Sequence, residues 1–242
     1  MSPADEQELQ QLSGASAPTA LQWVERKFGA TAVLASSFGL EDVVLIHLAL
    51  THAPSLKVFT LDTGRLPPET YELMDKFRQK YGLELETWFP QTKAVEGLTR
   101  AKGHFSFQLS VENRKECCGV RKVEPLGRAL TGRAAWVTGL RREQSATRAA
   151  VAIAERDAAH GGIVKVNPLA EWTQAQLWEY TKAHQVPVNK LHALGFPSIG
   201  CAPCTRAVKP GEDLRAGRWW WESADHKECG IHLPSDDAAA AR

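Results

Sequence analysis

Thr31-Ala32-Val33-Leu34-Ala35-Ser36-Ser37-Phe38-Gly39 passes from an apolar run into a two-serine loop closed by glycine, and a helical stretch follows from Glu41 to about Leu50. A short apolar run bounded by turn residues is the mark of a buried strand. The same beat returns downstream. Leu56 to Leu61 reads as a second strand, Asp62-Thr63-Gly64 as a turn, and Pro68 to about Lys80 as a helix. Leu83 to Phe89, Ala134 to Gly139 and Ile163 to Val166 complete five expected strands. Upstream, a helix begins near Pro18-Thr19, carries Leu21, Val24 and Phe28 on one face, and stops at Gly29. Strands alternating with helices predict an α/β fold, a doubly wound and mostly parallel sheet. Residues 1–17 are expected to be a flexible arm, 18–204 the α/β domain, and 205–242 a mobile C-terminal tail with a disordered end.

The chain has 242 residues, 43% of them hydrophobic and 24% charged, with a net charge of +1. That size supports a substantial core, and the balance of charge gives no bulk argument for nucleic acid or a membrane as partner. The start lacks a cationic, apolar signal pattern, and the apolar run Val43-Val44-Leu45-Ile46 is broken by His47. The expected setting is cytoplasmic, with reduced or metal-bound cysteines. Five cysteines, an odd number, argue against a disulfide framework.

In a doubly wound sheet, ligands gather at the carboxyl ends of strands. Ser36, Ser37, Phe38 and Gly39 offer hydroxyls and backbone N–H groups to an anion there. Leu61, Asp62, Thr63 and Gly64 end the second strand. The fourth is followed by Gly139-Leu140-Arg141-Arg142-Glu143-Gln144-Ser145-Ala146-Thr147-Arg148. Guanidinium forks match phosphate and sulfate oxygens, so Arg141, Arg142 and Arg148, with Ser145, are candidate anion ligands.

The cysteines divide four plus one. Cys117-Cys118 and Cys201-Ala202-Pro203-Cys204 supply four thiolates, bracketed on the first pair by Arg114, Lys115, Arg121 and Lys122. A [4Fe-4S] cluster is the favoured expectation, because adjacent cysteines reach a broad cluster more easily than one small ion. A zinc site, a thioredoxin-like dithiol and inert buried thiols are the other readings. Cys229 stands apart. His226, Lys227 and His232 around it favour a reactive thiolate, Glu228 opposes it, and a nucleophile is the expected role.

Taken together, Cys-Cys with CxxC, Ser-Ser-Phe-Gly, Leu-Asp-Thr-Gly, Gly-Leu-Arg-Arg-Glu-Gln-Ser and Glu-Cys-Gly-Ile-His resemble the APS/PAPS reductase family, in its iron–sulfur branch. The resemblance runs from the first strand to His232. It implies an adenine nucleotide α-hydrolase-like fold with one [4Fe-4S] cluster on Cys117, Cys118, Cys201 and Cys204. The implied activity is reduction of adenylylsulfate (APS) to sulfite and AMP in sulfate assimilation, through an S-sulfocysteine on Cys229 that thioredoxin or glutaredoxin discharges. It also implies that Lys122, Arg215, Arg218 and His232 surround the phosphosulfate, while the loops of Ser36–Gly39, Leu61–Gly64 and Gly139–Arg148 hold the nucleotide. A homotetramer is the implied assembly. PAPS reduction, or dual specificity, is the alternative.

Overall fold

The computed structural model describes residues 3–145, 148–222, 230 and 231. Six strands form one sheet in the order β3-β2-β1-β4-β6-β5. They are β1 (Ala32–Ala35), β2 (Lys57–Leu61), β3 (Leu85–Trp88), β4 (Ala135–Val137), β5 (Ala154–Asp157) and β6 (Ile163–Val166). β1 pairs in parallel with β2 and β4, and β4 with β6, whereas β5 pairs antiparallel to β6. The chain thus winds outward from β1 through β2 to β3, then returns to β1's other side with β4. The doubly wound, mostly parallel architecture is the expected one.

The central strands are apolar at every position because both faces are covered. Ala32, Val33 and Leu34 of β1 and Ala135, Trp136 and Val137 of β4 are all buried. The edge strand β5 was not expected, and its sequence explains why. Ala154-Glu155-Arg156-Asp157 has no apolar alternation and becomes a strand through its ladder to β6. Polar contacts add to that ladder: the Trp136 indole N–H donates to Asp157 at 2.9 Å, and Lys165 pairs with Glu155 at 3.3 Å.

Helix α1 (Pro3–Gln11) occupies part of the stretch expected as a flexible arm. α2 (Ala17–Phe28) is capped by Ser16, whose Oγ accepts from Thr19 N–H, and it buries Ala17, Ala20, Leu21 and Val24. α3 (Leu40–His52) packs against α2 and against α8 (Gln174–Ala183). α4 (Pro68–Tyr81) contributes Leu73 and Phe77 to the same core. Three further helices lie between β3 and β4: α5 (Thr92–Lys102), α6 (Val111–Cys118) and α7 (Glu124–Leu130). Among the described residues no helix is long and apolar enough to cross a membrane.

The chain divides into two interleaved compact units. The first comprises residues 1–59, 72–86 and 132–189; the second comprises 60–71, 87–131 and 190–242.

Candidate active site

In the first unit the loops after β1 and β4 flank the point where strand order reverses, the usual crevice for a ligand in such sheets. Ser36 N–H donates to Phe59 O at 2.9 Å, and Ser36 Oγ accepts from Phe38 N–H at 3.1 Å. Phe38 takes a left-handed φ of 57°, rare for a bulky residue, and is held by burial and an edge-on contact with Phe77 at 5.7 Å. Asp42, in the first turn of α3, closes the loop. One of its oxygens accepts from Ser37 N–H at 2.6 Å, Ser37 Oγ at 2.7 Å and Gly39 N–H at 3.4 Å. Burial pushes the Asp42 carboxyl up to about 6, with neighbouring Glu41 adding to the rise and the Ser37 and Gly39 bonds opposing it. The N–H groups expected to meet an anion therefore already meet one from the protein. Its signal in the sequence was an acid three residues after Gly39, a helix-capping position.

Gly139 follows β4 where no side chain fits: a Cβ there would stand 2.6 Å from Asp42 Oδ1 and 2.9 Å from Glu41 Cβ. Arg141 is buried and bonded on all sides. Its Nε and Nη2 donate to Glu41 at 3.0 and 2.9 Å, its Nη1 to Glu143 and Trp172 O at 2.9 Å, and its Nη2 to Gln174 at 2.7 Å. Arg142 donates to Val151 O and to Glu171, both at 2.9 Å. Arg148 donates to Gln144 at 2.6 Å, and Ser145 O accepts from Arg148 N–H at 3.0 Å. The segment is a 3-10 turn at Arg142–Gln144, not the start of an α-helix.

In the second unit Leu61 ends β2 and Asp62 turns the chain. Asp62 Oδ1 accepts from Gly64 N–H at 2.8 Å and from Tyr71 OH at 2.9 Å. Burial, and then the Asp62 carboxylate, push the Tyr71 hydroxyl up to about 12, so it stays a donor. Thr63 touches two distant parts of the unit: its Oγ1 lies 3.2 Å from Cys201 Sγ, and its carbonyl accepts from Arg121 Nη1 at 2.6 Å.

Cys117 and Cys118 end α6, and a π-helical turn, Gly119–Val123, joins it to α7. Such turns often accompany functional residues. Arg114, Cys117, Cys118, Arg121 and Lys122 follow one another at the spacing of a single helical face, and all five line one cavity. Arg65, Phe107, Cys201, Cys204, Arg218 and Trp219 complete the lining, around about 360 Å³ of space partly open to solvent. The second pair is placed by a 3-10 turn at Ala202–Cys204, tied down by Ala202 N–H to Arg65 O at 2.8 Å and by Trp219 N–H to Cys204 O at 3.2 Å.

Among the described residues, five cations and no carboxylate appear in that lining. Arg121 Nε and Arg218 Nε are buried with no hydrogen-bond partner among the described residues. The thiols respond unequally. Burial drives Cys201 up, but Lys122, the Thr63 hydroxyl, Arg218 and Arg65 outweigh it and leave the thiol below its ordinary value. Burial, reinforced by Cys201 and Cys118, pushes Cys204 up to about 12. Cys117 is also raised, chiefly by burial.

The expected [4Fe-4S] cluster is corrected. Among the described residues no group of three or more His, Cys, Asp or Glu side chains is arranged to hold a metal ion. Sharing a cavity is not the same as converging on a centre, and the Cys201 sulfur lies 3.2 Å from the Thr63 hydroxyl. Arg215 lies nearby in sequence, its N–H on Asp213 Oδ1 at 2.8 Å. Cys229 and His232, the expected nucleophile and its companion, lie outside the described residues. Arg65, Arg114, Tyr71 and Trp219 belong to the surroundings of the expected site but were not singled out as ligands; only their side-chain type, scattered through the sequence, marked them.

The protein-family description "Phosphoadenosine phosphosulfate reductase domain" matches residues 31–207. An adenosine 5'-phosphosulfate reductase from Burkholderia cepacia is 56% identical over 82% of this chain and 79% of its own length. One of the same name from Allochromatium vinosum is 51% identical over 83% of this chain and 78% of its own length. Among solved structures, a Candida auris phosphoadenylyl-sulfate reductase in complex with phosphate superposes with a TM-score of 0.71 at 27% identity, covering 86% of this chain and 98% of that one.

Proposed function

The chain belongs to the phosphoadenosine phosphosulfate reductase family, and on that premise we propose that it reduces adenylylsulfate to sulfite and AMP in sulfate assimilation. The observation that carries the reading is the 56% identity to an adenosine 5'-phosphosulfate reductase over four-fifths of the chain. In the proposed reaction the Cys229 thiolate attacks the sulfur of the phosphosulfate anhydride. The sulfur–oxygen bond breaks and AMP leaves with its electron pair. A dithiol protein of the thioredoxin or glutaredoxin type then attacks the S-sulfocysteine, sulfite departs, and the reductant ends as a disulfide. Its two electrons account for the reduction of sulfur.

A thiolate and an anionic substrate repel each other, so cations must offset the charge as it develops. Lys122, Arg215, Arg218 and His232 are assigned that part. Arg218 is the best supported, because its buried Nε has no hydrogen-bond partner among the described residues. Ser36 to Gly39, Leu61 to Gly64, and Gly139, Arg142, Ser145 and Arg148 are assigned to the nucleotide. Arg141 acts differently, as a positioning residue that ties the loop after β4 to Glu41 of α3.

Intact mass after mixing with APS alone tests the reading. One added sulfonate on the wild type and none on Cys229→Ser is the expected result; no adduct on either protein would defeat it. The Candida auris likeness favours PAPS as a second substrate, and sulfite release from APS and from PAPS, compared at equal concentration, decides between them.

A further inference from the structure

The indole of Trp219 is shared by two guanidinium groups, that of Arg114 at 4.8 Å and that of Arg218 at 4.9 Å from the ring centre. Trp219 is 1% exposed and adopts φ 39°, in the left-handed region that bulky residues avoid. Such a conformation persists only where the surroundings over-determine it. They do so here. Trp219 N–H donates to Cys204 O at 3.2 Å, and Trp219 O accepts from Glu222 N–H at 2.9 Å. The Glu222 carboxylate meets Arg114 as a fork, Nε to Oε1 at 3.0 Å and Nη2 to Oε2 at 2.8 Å. Both partners of that pair are almost wholly buried, at 1% and 3% side-chain exposure. Trp221 packs on Phe107 with ring centres 5.9 Å apart.

A buried ion pair is a poor source of stability, since desolvation offsets its attraction, but it fixes one geometry strictly. Three features converge on a single turn: a strained backbone, an indole in contact with two guanidiniums and a bidentate buried pair. From the end of that turn, Glu222, the chain runs seven residues to Cys229, a reach of at most about 25 Å when fully extended. We propose that Arg114, Trp219 and Glu222 form a positioning device for the nucleophile: they anchor the base of the Cys229 segment and, through the shared indole, the Arg218 fork. The inference rests on the reading of Cys229 as nucleophile. Arg114 and Glu222 are positioning residues, neither acting on the sulfur.

The test uses the full chain with Arg114→Met and Glu222→Met combined, which removes both charges while keeping their bulk, and separately Glu222→Gln, which keeps the shape and weakens the fork. Three quantities are read: AMP affinity, the rate at which a small aromatic disulfide reagent labels Cys229, and the single-turnover rate of sulfonate transfer from APS to Cys229. The device predicts AMP affinity within about twofold of wild type, reagent labelling as fast or faster, and sulfonate transfer slower by about tenfold or more in the double variant. Glu222→Gln is expected to slow transfer by a smaller factor. Wild-type transfer rates in a folded double variant would overturn the device while leaving the function intact. If circular dichroism shows the double variant unfolded, Glu222→Gln decides by the same rate, with an unchanged value overturning the proposal. Absence of any adduct on the wild type would instead defeat the functional reading beneath it.

Discussion

Arg141, after β4, and two of the arginines that line the cysteine cavity bear the same charge in different states of hydrogen bonding. Arg141 directs its donors to Glu41, Glu143, Trp172 O and Gln174. Arg121 and Arg218 each keep a buried Nε without a partner among the described residues, in a cavity lined by no carboxylate among those residues. A buried cation whose donors are all engaged is scaffold. One with a donor left over, and no acid beside it, is a place where an anion lowers the free energy. Counting charges along a sequence cannot separate the two; following each donor to its acceptor does.

The largest effect that would sharpen this contrast lies at the scaffold arginine. Arg141→Met strips Glu41 of its buried partner and should cost about 3–5 kcal/mol of stability, read as a lower denaturant midpoint. A loss under about 1 kcal/mol would show that the bolt after β4 is ornamental.

Asp42 comes next. Its folded-state carboxyl, at about 6, lies above the unfolded value of 3.8, so the native state holds the extra proton in that window. Stability therefore falls as pH rises from about 4 to about 6, by up to about 3 kcal/mol. Asp42→Asn should lack this slope, so the wild type loses ground to the variant across that window and runs parallel to it above. Parallel curves throughout would mean that the carboxylate in the β1–α3 loop is already charged at pH 4.

The cavity arginine gives the third effect. Arg218→Gln should slow sulfite formation about a hundredfold, equivalent to about 2.7 kcal/mol of transition-state stabilisation, with a smaller stability loss than Arg141→Met. A variant that melted early yet reacted at the normal rate would invert the comparison between the two regions.

The central strands were legible because β1 and β4 are apolar at every residue, and β1, β2, β3, β4 and β6 each lie within the stretches read from the sequence. β5 was not legible, since Glu155, Arg156 and Asp157 become a strand only by pairing with β6. The cationic stripe of Arg114, Arg121 and Lys122 beside Cys117 and Cys118 was visible as composition. Its convergence with Arg65, Cys201, Cys204, Arg218 and Trp219 was not, because those residues meet through turns that bring together segments more than 45 positions apart. The metal-cluster expectation failed for the same reason: spacing shows which thiols are available but not whether three or more come together to hold a metal ion.

By itself the sequence determined the alternation of strand and helix, the loops that close β1 and β4, and the presence of a lone Cys229 in a cationic stretch. Those properties are local: they follow from periodicity, turn chemistry and the charge of neighbours. Only the tertiary structure decided that Arg141 is consumed by Glu41 and Glu143, that Asp42 occupies the N–H groups of its own loop, and that Trp219 meets both Arg114 and Arg218. A guanidinium or a carboxylate takes its role from the partner it finds on burial, and that partner is chosen by packing over long separations in the chain.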